Sequence, residues 1–421
     1  MKILYLTHTV TWKGGGIFYT AYHQARYLAR RGHEVTLLSI SPSSRVHFSE
    51  FVVEGVRIIE SPDLLPGSAR TGWDIWDTMR RICFLKDERF DIVHGFESRP
   101  VVSLPAIFMR KKLGTPLVLT WADWFGKGGR SEERSWPIRA FMPPVEDFFE
   151  KHFYPKADFI IAMGDPLFDK AIDRGIHKDR ILSLLHGSDI ERTEVIPQEI
   201  AKSQLDGKLP EDAIVMGYLG YLWTVNASLL FQTVRMVKAA INRPFKLLLI
   251  GNHRANLMKV LPEDLKEDVI ETGWVSYQEV NLYLCASDVL MLPLKRTPVS
   301  DSIWPSKLND YLAAGRPIVA TDMHILKSLY QKHNFGYLTN DNPSELAEAV
   351  LSVVADKVIS REFGCNARIL AEEELSWDKI VDRLEALYYR LLTEDTGMKR
   401  SLNLIKDGLS SVSVFGGKNS P

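Results

Sequence analysis

The chain has 421 residues, 45% hydrophobic and 25% charged, the balance of an ordinary globular protein too long for a single domain. Its 52 lysines and arginines stand against 53 aspartates and glutamates, and a net charge of −1 offers no electrostatic footprint for nucleic acid. Cys83, Cys285 and Cys365 are far apart and odd in number, so they point to neither a disulfide framework nor a metal site, and they suit a reducing compartment.

The run KILYLT at residues 2–7 reads as a buried strand, too short for a signal-peptide core and without a cleavage site. No apolar run is long enough to span a bilayer. The expected location is therefore cytoplasmic, with room for peripheral contact at the inner membrane face. A glycine-rich turn, Lys13-Gly14-Gly15-Gly16, leads into a helical pattern that closes at Gly32, and residues 34–38 form the next strand. This is a βαβ unit, but the turn lacks the G-x-G-x-x-G spacing of a dinucleotide site. Residues 52–53 and 56–59 read as a hairpin, and residues 62–90 as partly helical.

The strand at 90–94 ends in His94, with Glu97 just beyond. Active sites of open parallel sheets gather past the carboxyl ends of strands, which marks both residues. A helix at 101–112 precedes the strand at 116–120, which runs into Trp121-Ala122-Asp123-Trp124. A carboxylate flanked by aromatic faces suits a sugar, whose C–H face stacks while its hydroxyls donate. The alternative is a strand-end cap among core tryptophans. Residues 127–155 carry Trp136, Phe141, Phe148, Phe149 and Phe153 among charged groups. That mixture fits a helix packed on the core, or a surface touching a membrane or lipid-linked acceptor. Strands at 157–162 and 181–185 close a first domain near residue 190, and residues 191–210 read as a linker.

The second domain, 211–375, opens on the run 214–222 and continues through the strand 245–250 and the runs 269–275 and 286–294. Its central stretch is PVSDSIWPSKLNDYLAAGRPIVATD, residues 298–322. Pro305-Ser306 signals a helix start, with serine as N-cap, and Leu308, Tyr311 and Leu312 form one apolar stripe. Gly315 caps the C-terminus, and Ile318-Val319-Ala320 reads as a strand covered on both faces. Asp301, Ser302, Ser306, Lys307 and Asp310 cluster near the helix N-terminus, where free N–H groups and the helix dipole favour a phosphate. A closing helix at 376–392 and a flexible tail at 393–421 complete the chain. The residues alone thus imply two doubly wound α/β domains with an anion site on the second and a cleft between them.

The phrase PSKLNDYLAAGRPIVA resembles the donor segment of the retaining, two-Rossmann-domain (GT-B) glycosyltransferases of family four. LARRGHEVTLLS, DIVH, the 157–162 strand and HGSD at 186–189 are also similar to that family's usual phrases, so the resemblance runs in order over residues 1–392. It implies two Rossmann-like parallel-sheet domains facing across a cleft. It also implies transfer of a hexose from a UDP- or GDP-linked donor, with no metal and no further cofactor. Gly15 and Gly16 would let backbone approach the donor phosphate or acceptor, and Trp274 would stack on the base. Of the family's two nucleotide-sugar glutamates, the ribose-binding one matches Asp310. The hexose-binding one falls on Ser302, with Asp301 beside it. The family's phosphate-neutralising arginine and lysine are absent at Tyr221 and residues 223–227, which leaves Arg254, Lys295, Arg296 and above all Lys307 to meet that charge.

His94 and Asp123 are then the candidate catalytic residues on the acceptor side. The partners expected are a nucleotide-sugar and a glycan or lipid-linked acceptor, with no nucleic acid. Two other classes fit the same residues: a nucleotide-sugar-binding partner without catalysis, and an epimerase acting on the donor alone.

Overall fold

The computed structural model describes residues 1–412 except 13–15, 206, 208, 211, 223 and 253–259, with side chains also omitted at 68, 224, 225 and 395–412. Gly15 and Arg254 therefore lie outside the described residues. The chain forms two compact units, one of Met1–Leu119, Lys156–Ile160 and Val381–Pro421, the other of Thr120–Pro155 and Ile161–Ile380.

The first sheet has the order β3-β4-β2-β1-β5-β6-β7-β8. Its strands are β1 (Lys2–Val10), β2 (Glu34–Ile40), β3 (Ser49–Val53), β4 (Val56–Ser61), β5 (Ile92–Phe96), β6 (Leu117–Trp121), β7 (Phe159–Ala162) and β8 (Ile181–Ser183). Ile3, Leu4, Tyr5 and Leu6 of β1 are wholly buried, because a parallel strand covered on both faces must be apolar throughout. Ile3 stands in register with Val35 on β2 and Ile92 on β5. β3 and β4 make the expected antiparallel hairpin, turned at Glu54 and Gly55 with φ of 48° and 82°. The helix α1 (Gly16–Arg30) follows β1, and α2 (Ile75–Leu85) starts where the Asp74 carboxylate accepts the Trp76 N–H at 2.8 Å.

The second sheet has the order β11-β10-β9-β12-β13-β14. It comprises β9 (Ile214–Leu219), β10 (Phe245–Ile250), β11 (Val269–Glu271), β12 (Val289–Leu292), β13 (Ile318–Thr321) and β14 (Gly336–Thr339), and the pairings are parallel. Chain order runs outward from β9 in one direction and resumes at β12 in the other. The topological switch therefore lies between β9 and β12, where ligands of open α/β sheets bind beyond the strand ends. Further helices are α3 (Pro100–Leu113), α4 (Ile138–Phe153), α5 (Asp165–Asp173), α6 (Gln198–Ser203), α7 (Thr224–Ala240) and α8 (Tyr277–Ala286). They continue with α9 (Lys307–Ala313), α10 (His324–His333), α11 (Pro343–Ala355), α12 (Lys357–Glu373) and α13 (Trp377–Val412). The backbone beyond residue 392, expected as a flexible tail, is helical as far as Val412.

One side chain locks α9 to the switch point. The Tyr311 hydroxyl accepts the Leu219 N–H of β9 at 2.9 Å and donates to the Met291 carbonyl of β12 at 3.1 Å. Leu308 and Leu312 are buried beside it, so the stripe seen in the sequence fixes which way α9 faces.

Candidate functional site

With Leu308, Tyr311 and Leu312 turned inward, Lys307 and Asp310 occupy the other side of α9 near the end of β9. The Lys307 Nζ stands 3.8 Å from the centroid of the Tyr218 ring. A β-carbon at Gly220, whose φ is +77°, would lie 3.9 Å from both Cε and Nζ of Lys307. That distance is ordinary contact, so it is the left-handed backbone rather than the space that calls for glycine here. Burial pushes Lys307 down to about 7, against the pull of Asp310. Among the described residues no carboxylate comes within ion-pair distance of its Nζ, and the Tyr218 ring and the more distant Asp310 favour the charge. A desolvated cation in this state gains most from an incoming anion.

Asp310 lies one turn along. Its Oδ1 accepts the Tyr277 hydroxyl at 3.2 Å. Burial pushes the carboxyl up to about 7, with Asp189 adding to the rise while Tyr277 and Lys307 oppose it. Tyr277 is the first residue of α8, whose start is fixed by a capping box between Ser276 and Glu279. The sequence gives Tyr277 no functional signal; it reads only as a helix start, far along the chain from Asp310. Replacing Tyr277 by phenylalanine should leave the fold intact and free Asp310 to rotate. We expect the KM for donor to rise about fivefold with little change in kcat, the signature of one lost neutral hydrogen bond. Steady-state kinetics on the variant would check it, and an equal fall in kcat would contradict a purely positioning role.

The segment His186-Gly187-Ser188-Asp189 is tied to α9 through Asn309. The Asn309 Nδ2 donates to the Gly187 carbonyl at 3.0 Å, and the Ser188 hydroxyl donates to the Asn309 carbonyl at 3.1 Å. His186 is buried, and burial pushes its imidazole down to about 4 although the Asp123 carboxylate pulls the other way. The interaction brings Asp123, after β6, into the electrostatic surroundings of the HGSD loop. Asp123 Oδ2 also accepts the Arg130 guanidinium at 2.8 Å.

Several expectations need correction. Trp121 is wholly buried and stacks on Tyr154 at 4.3 Å, and Trp124 lies under the Lys170 ammonium at 3.6 Å, so neither tryptophan offers a bare face beside Asp123. His94 is a core residue. Its ring is wholly buried between Tyr5 and Phe96, Nδ1 meets the Tyr388 hydroxyl at 2.6 Å, and burial pushes its pKa down to about 3. A neutral imidazole held in this way has no route to a substrate proton. Ser306 does not cap α9: its backbone is already helical and its hydroxyl makes no capping bond, so at seven residues α9 leans on Lys307 rather than on its dipole.

The remaining residues are placed as follows. Asp301 accepts the His324 N–H at 3.3 Å and pairs with Arg296 at 3.5 Å, while the Ser302 hydroxyl donates to the Val299 carbonyl at 2.9 Å. Lys295 is paired with Asp341 at 2.7 Å. Trp274 is 87% exposed, with an uncovered ring. Gly16, exposed, is the first residue of α1. The structure thus brings together Lys307 and Asp310 of the predicted set, adds Tyr277, Tyr218, Gly220 and Asp189, and leaves Asp301 and Ser302 engaged in local bonds.

Residues 15–184 match the family described as "Glycosyl transferase 4-like domain", and residues 213–356 match "Glycosyl transferases group 1". A Bacillus subtilis protein named as a teichuronic acid biosynthesis glycosyltransferase, TuaH, is 24% identical over 364 residues, covering 82% of this chain and 87% of its own. Sucrose-phosphate synthase from Thermosynechococcus elongatus superposes with a TM-score of 0.72 at 17% identity, over 93% of this chain and 99% of its own. Anabaena Alr3699/HepE, solved in complex with UDP, superposes with a TM-score of 0.67 at 15% identity, over 93% and 100% of the two chains.

Proposed function

We propose that the chain is a GT-B glycosyltransferase of the group 1 type, and that it moves a hexose from a nucleotide-sugar donor to a glycan, glycolipid or small acceptor with retained anomeric configuration. The observation that carries the donor assignment is the desolvated Lys307 beside Gly220 at the β9–β12 switch, with the Tyr277-oriented Asp310 one turn away. Lys307 would hold the diphosphate, and Asp310 would accept the ribose hydroxyls. Asp301 or Ser302 would meet the hexose, and Trp274 would cover the base. The acceptor oxygen would bond to the anomeric carbon on the face from which the diphosphate leaves, and a departing phosphate oxygen would take the acceptor proton. Asp123, held by Arg130, would border the acceptor. The structural neighbours support this ligand class: HepE was solved with UDP and glucose, and S. aureus TarM with UDP and α-GlcNAc-glycerol. We place the activity in the cytoplasm, at the inner face of a membrane; no described helix is long and apolar enough to cross one.

Thermal shift across UDP, GDP, ADP and their sugar conjugates tests the donor site, because a ligand specific to the folded state must raise the midpoint. One nucleotide should shift the midpoint, and turnover assays should then release it from its sugar in the presence of acceptor. No shift with any nucleotide would end the proposal. A second reading, a nucleotide-sugar binder without turnover, draws on the local bonds that occupy Asp301 and Ser302. Binding without release would select it.

A further inference from the structure

Helix α4 (Ile138–Phe153) is folded with its polarity reversed. Glu146 and Glu150 are turned inward, 3% and 1% exposed, together with Pro143 and Phe153. Glu150 Oε1 accepts the Phe125 and Gly126 N–H groups at 2.9 Å each, so the carboxylate anchors the loop after β6. The opposite face carries Phe141, Val145, Phe148 and His152, spaced at i, i+4, i+7 and i+11, with Phe141 66% and Phe148 51% exposed. Trp136, just before the helix, is 73% exposed. A helix of a water-facing surface buries phenylalanine and exposes glutamate. This one buries Glu146 and Glu150 beside Phe153 while Phe141 and Phe148 stay outside, leaving an apolar strip over water.

Along the helix and its immediate approach the exposed charges are basic. Between residues 134 and 152 the exposed ionisable groups are Arg134, Arg139, Lys151 and His152; Asp147 is half-buried and paired with Arg174. Upstream, the exposed Glu132 and Glu133 accept the Gly128 N–H and the Thr297 hydroxyl. Aromatic side chains amid cations complement the headgroup boundary of an anionic bilayer, where rings enter the acyl edge and cations meet lipid phosphate. A second copy fits worse, because a twofold contact would set the same cations against each other.

We propose that the outward face of α4, with Trp136, seats the protein on an anionic lipid surface. The proposal rests on the transferase reading only for its consequence, that the acceptor is lipid-linked and met at that surface. Flotation of the full chain with vesicles of phosphatidylcholine and phosphatidylglycerol tests it, with phosphatidylcholine alone as the control. Binding should favour the anionic vesicles and weaken with salt. Phe141→Ser combined with Phe148→Ser should reduce it about tenfold or more. The double variant should stay close to the melting temperature of the parent, since neither ring is buried, and should keep its nucleotide-induced thermal shift. Arg139→Glu with Lys151→Glu should erase the preference for anionic lipid. Absence of flotation, or equal flotation of the serine variant, would overturn the proposal. So would a concentration-dependent dimer that the serine variant abolishes, which would give the face to a second copy. A parent chain that binds nucleotide but not vesicles would sink the surface and leave the donor site standing; vesicle binding without nucleotide binding would do the opposite.

Discussion

Lys307→Ala should abolish useful donor binding while leaving the fold as stable as before or more so. The ammonium is a desolvated charge with an aromatic neighbour and no ion-paired carboxylate among the described residues, so its removal relieves the empty protein of a cost. On the donor reading the diphosphate would lose a desolvated cation, and affinity should fall on the order of 10²–10³-fold, as when one partner of a buried charge pair is deleted. The two effects have opposite signs, which separates this outcome from general damage. Calorimetric titration with the nucleotide, alongside the melting temperature, reads both. Unchanged affinity would remove Lys307 from the site.

The same residue sets a pH dependence. Its folded value is lowered to about 7, so from about 7 up to its ordinary value of 10.5 the unfolded chain holds the extra proton and the stability of the ligand-free protein rises with pH. Asp310 acts in the other window. Raised to about 7 from 3.8, it holds its proton in the folded state, and stability falls as pH rises between those values. Donor binding reverses the lysine effect, because an anion calls the proton back. Affinity should therefore weaken about tenfold per pH unit above neutrality, with one proton taken up on binding. Lys307→Arg, charged throughout, should flatten that alkaline limb. If the limb persists in the arginine variant, another group owns it.

The sequence was most legible where local pattern and burial coincide. The strands of both sheets are continuous apolar runs because parallel strands are covered on both faces, and the i, i+3, i+4 stripe of Leu308, Tyr311 and Leu312 told which side of α9 meets the core. Lys307 and Asp310 came from the polar cluster at the helix start and from the family resemblance, and the stripe explains why they stand on the other side. Tyr277 did not follow, since its hydrogen bond to Asp310 spans 33 residues and a helix-start tyrosine has many uses. His94 misled because a polar residue at a strand end has two outcomes, and here the Tyr388 hydroxyl satisfies the imidazole from a helix nearly three hundred residues away. Helix α4 defeats periodicity outright, since the rule that the apolar stripe is the buried one is what it violates.

Gly187→Ala should disturb stability and donor binding together, although the residue need touch no ligand. A β-carbon there would lie 2.4 Å from Cδ2 and 2.5 Å from Cε3 of Trp377, an indole that is itself buried. The ring has little freedom to retreat, because Trp377 begins α13 and its N–H donates to the Ser188 carbonyl at 3.3 Å. The loop must move instead, and the loop holds α9: the Gly187 carbonyl takes the Asn309 amide, and the Ser188 hydroxyl takes the Asn309 carbonyl. Overpacking of this kind costs about 1–3 kcal/mol, which for a protein of this size lowers the melting temperature by several degrees, roughly 2–4 °C per kcal/mol. Displacing Asn309 should shift Lys307 and Asp310 with it and weaken donor binding about tenfold, a penalty a remote packing defect would not carry. A double-mutant cycle separates the causes. Trp377→Leu alone should destabilise by leaving a void, yet in the Gly187→Ala background it should recover part of both losses, since the added methyl then has room. Strict additivity of the two substitutions, in melting temperature and in affinity, would show that the indole is not what the methyl meets and that the HGSD loop does not position α9.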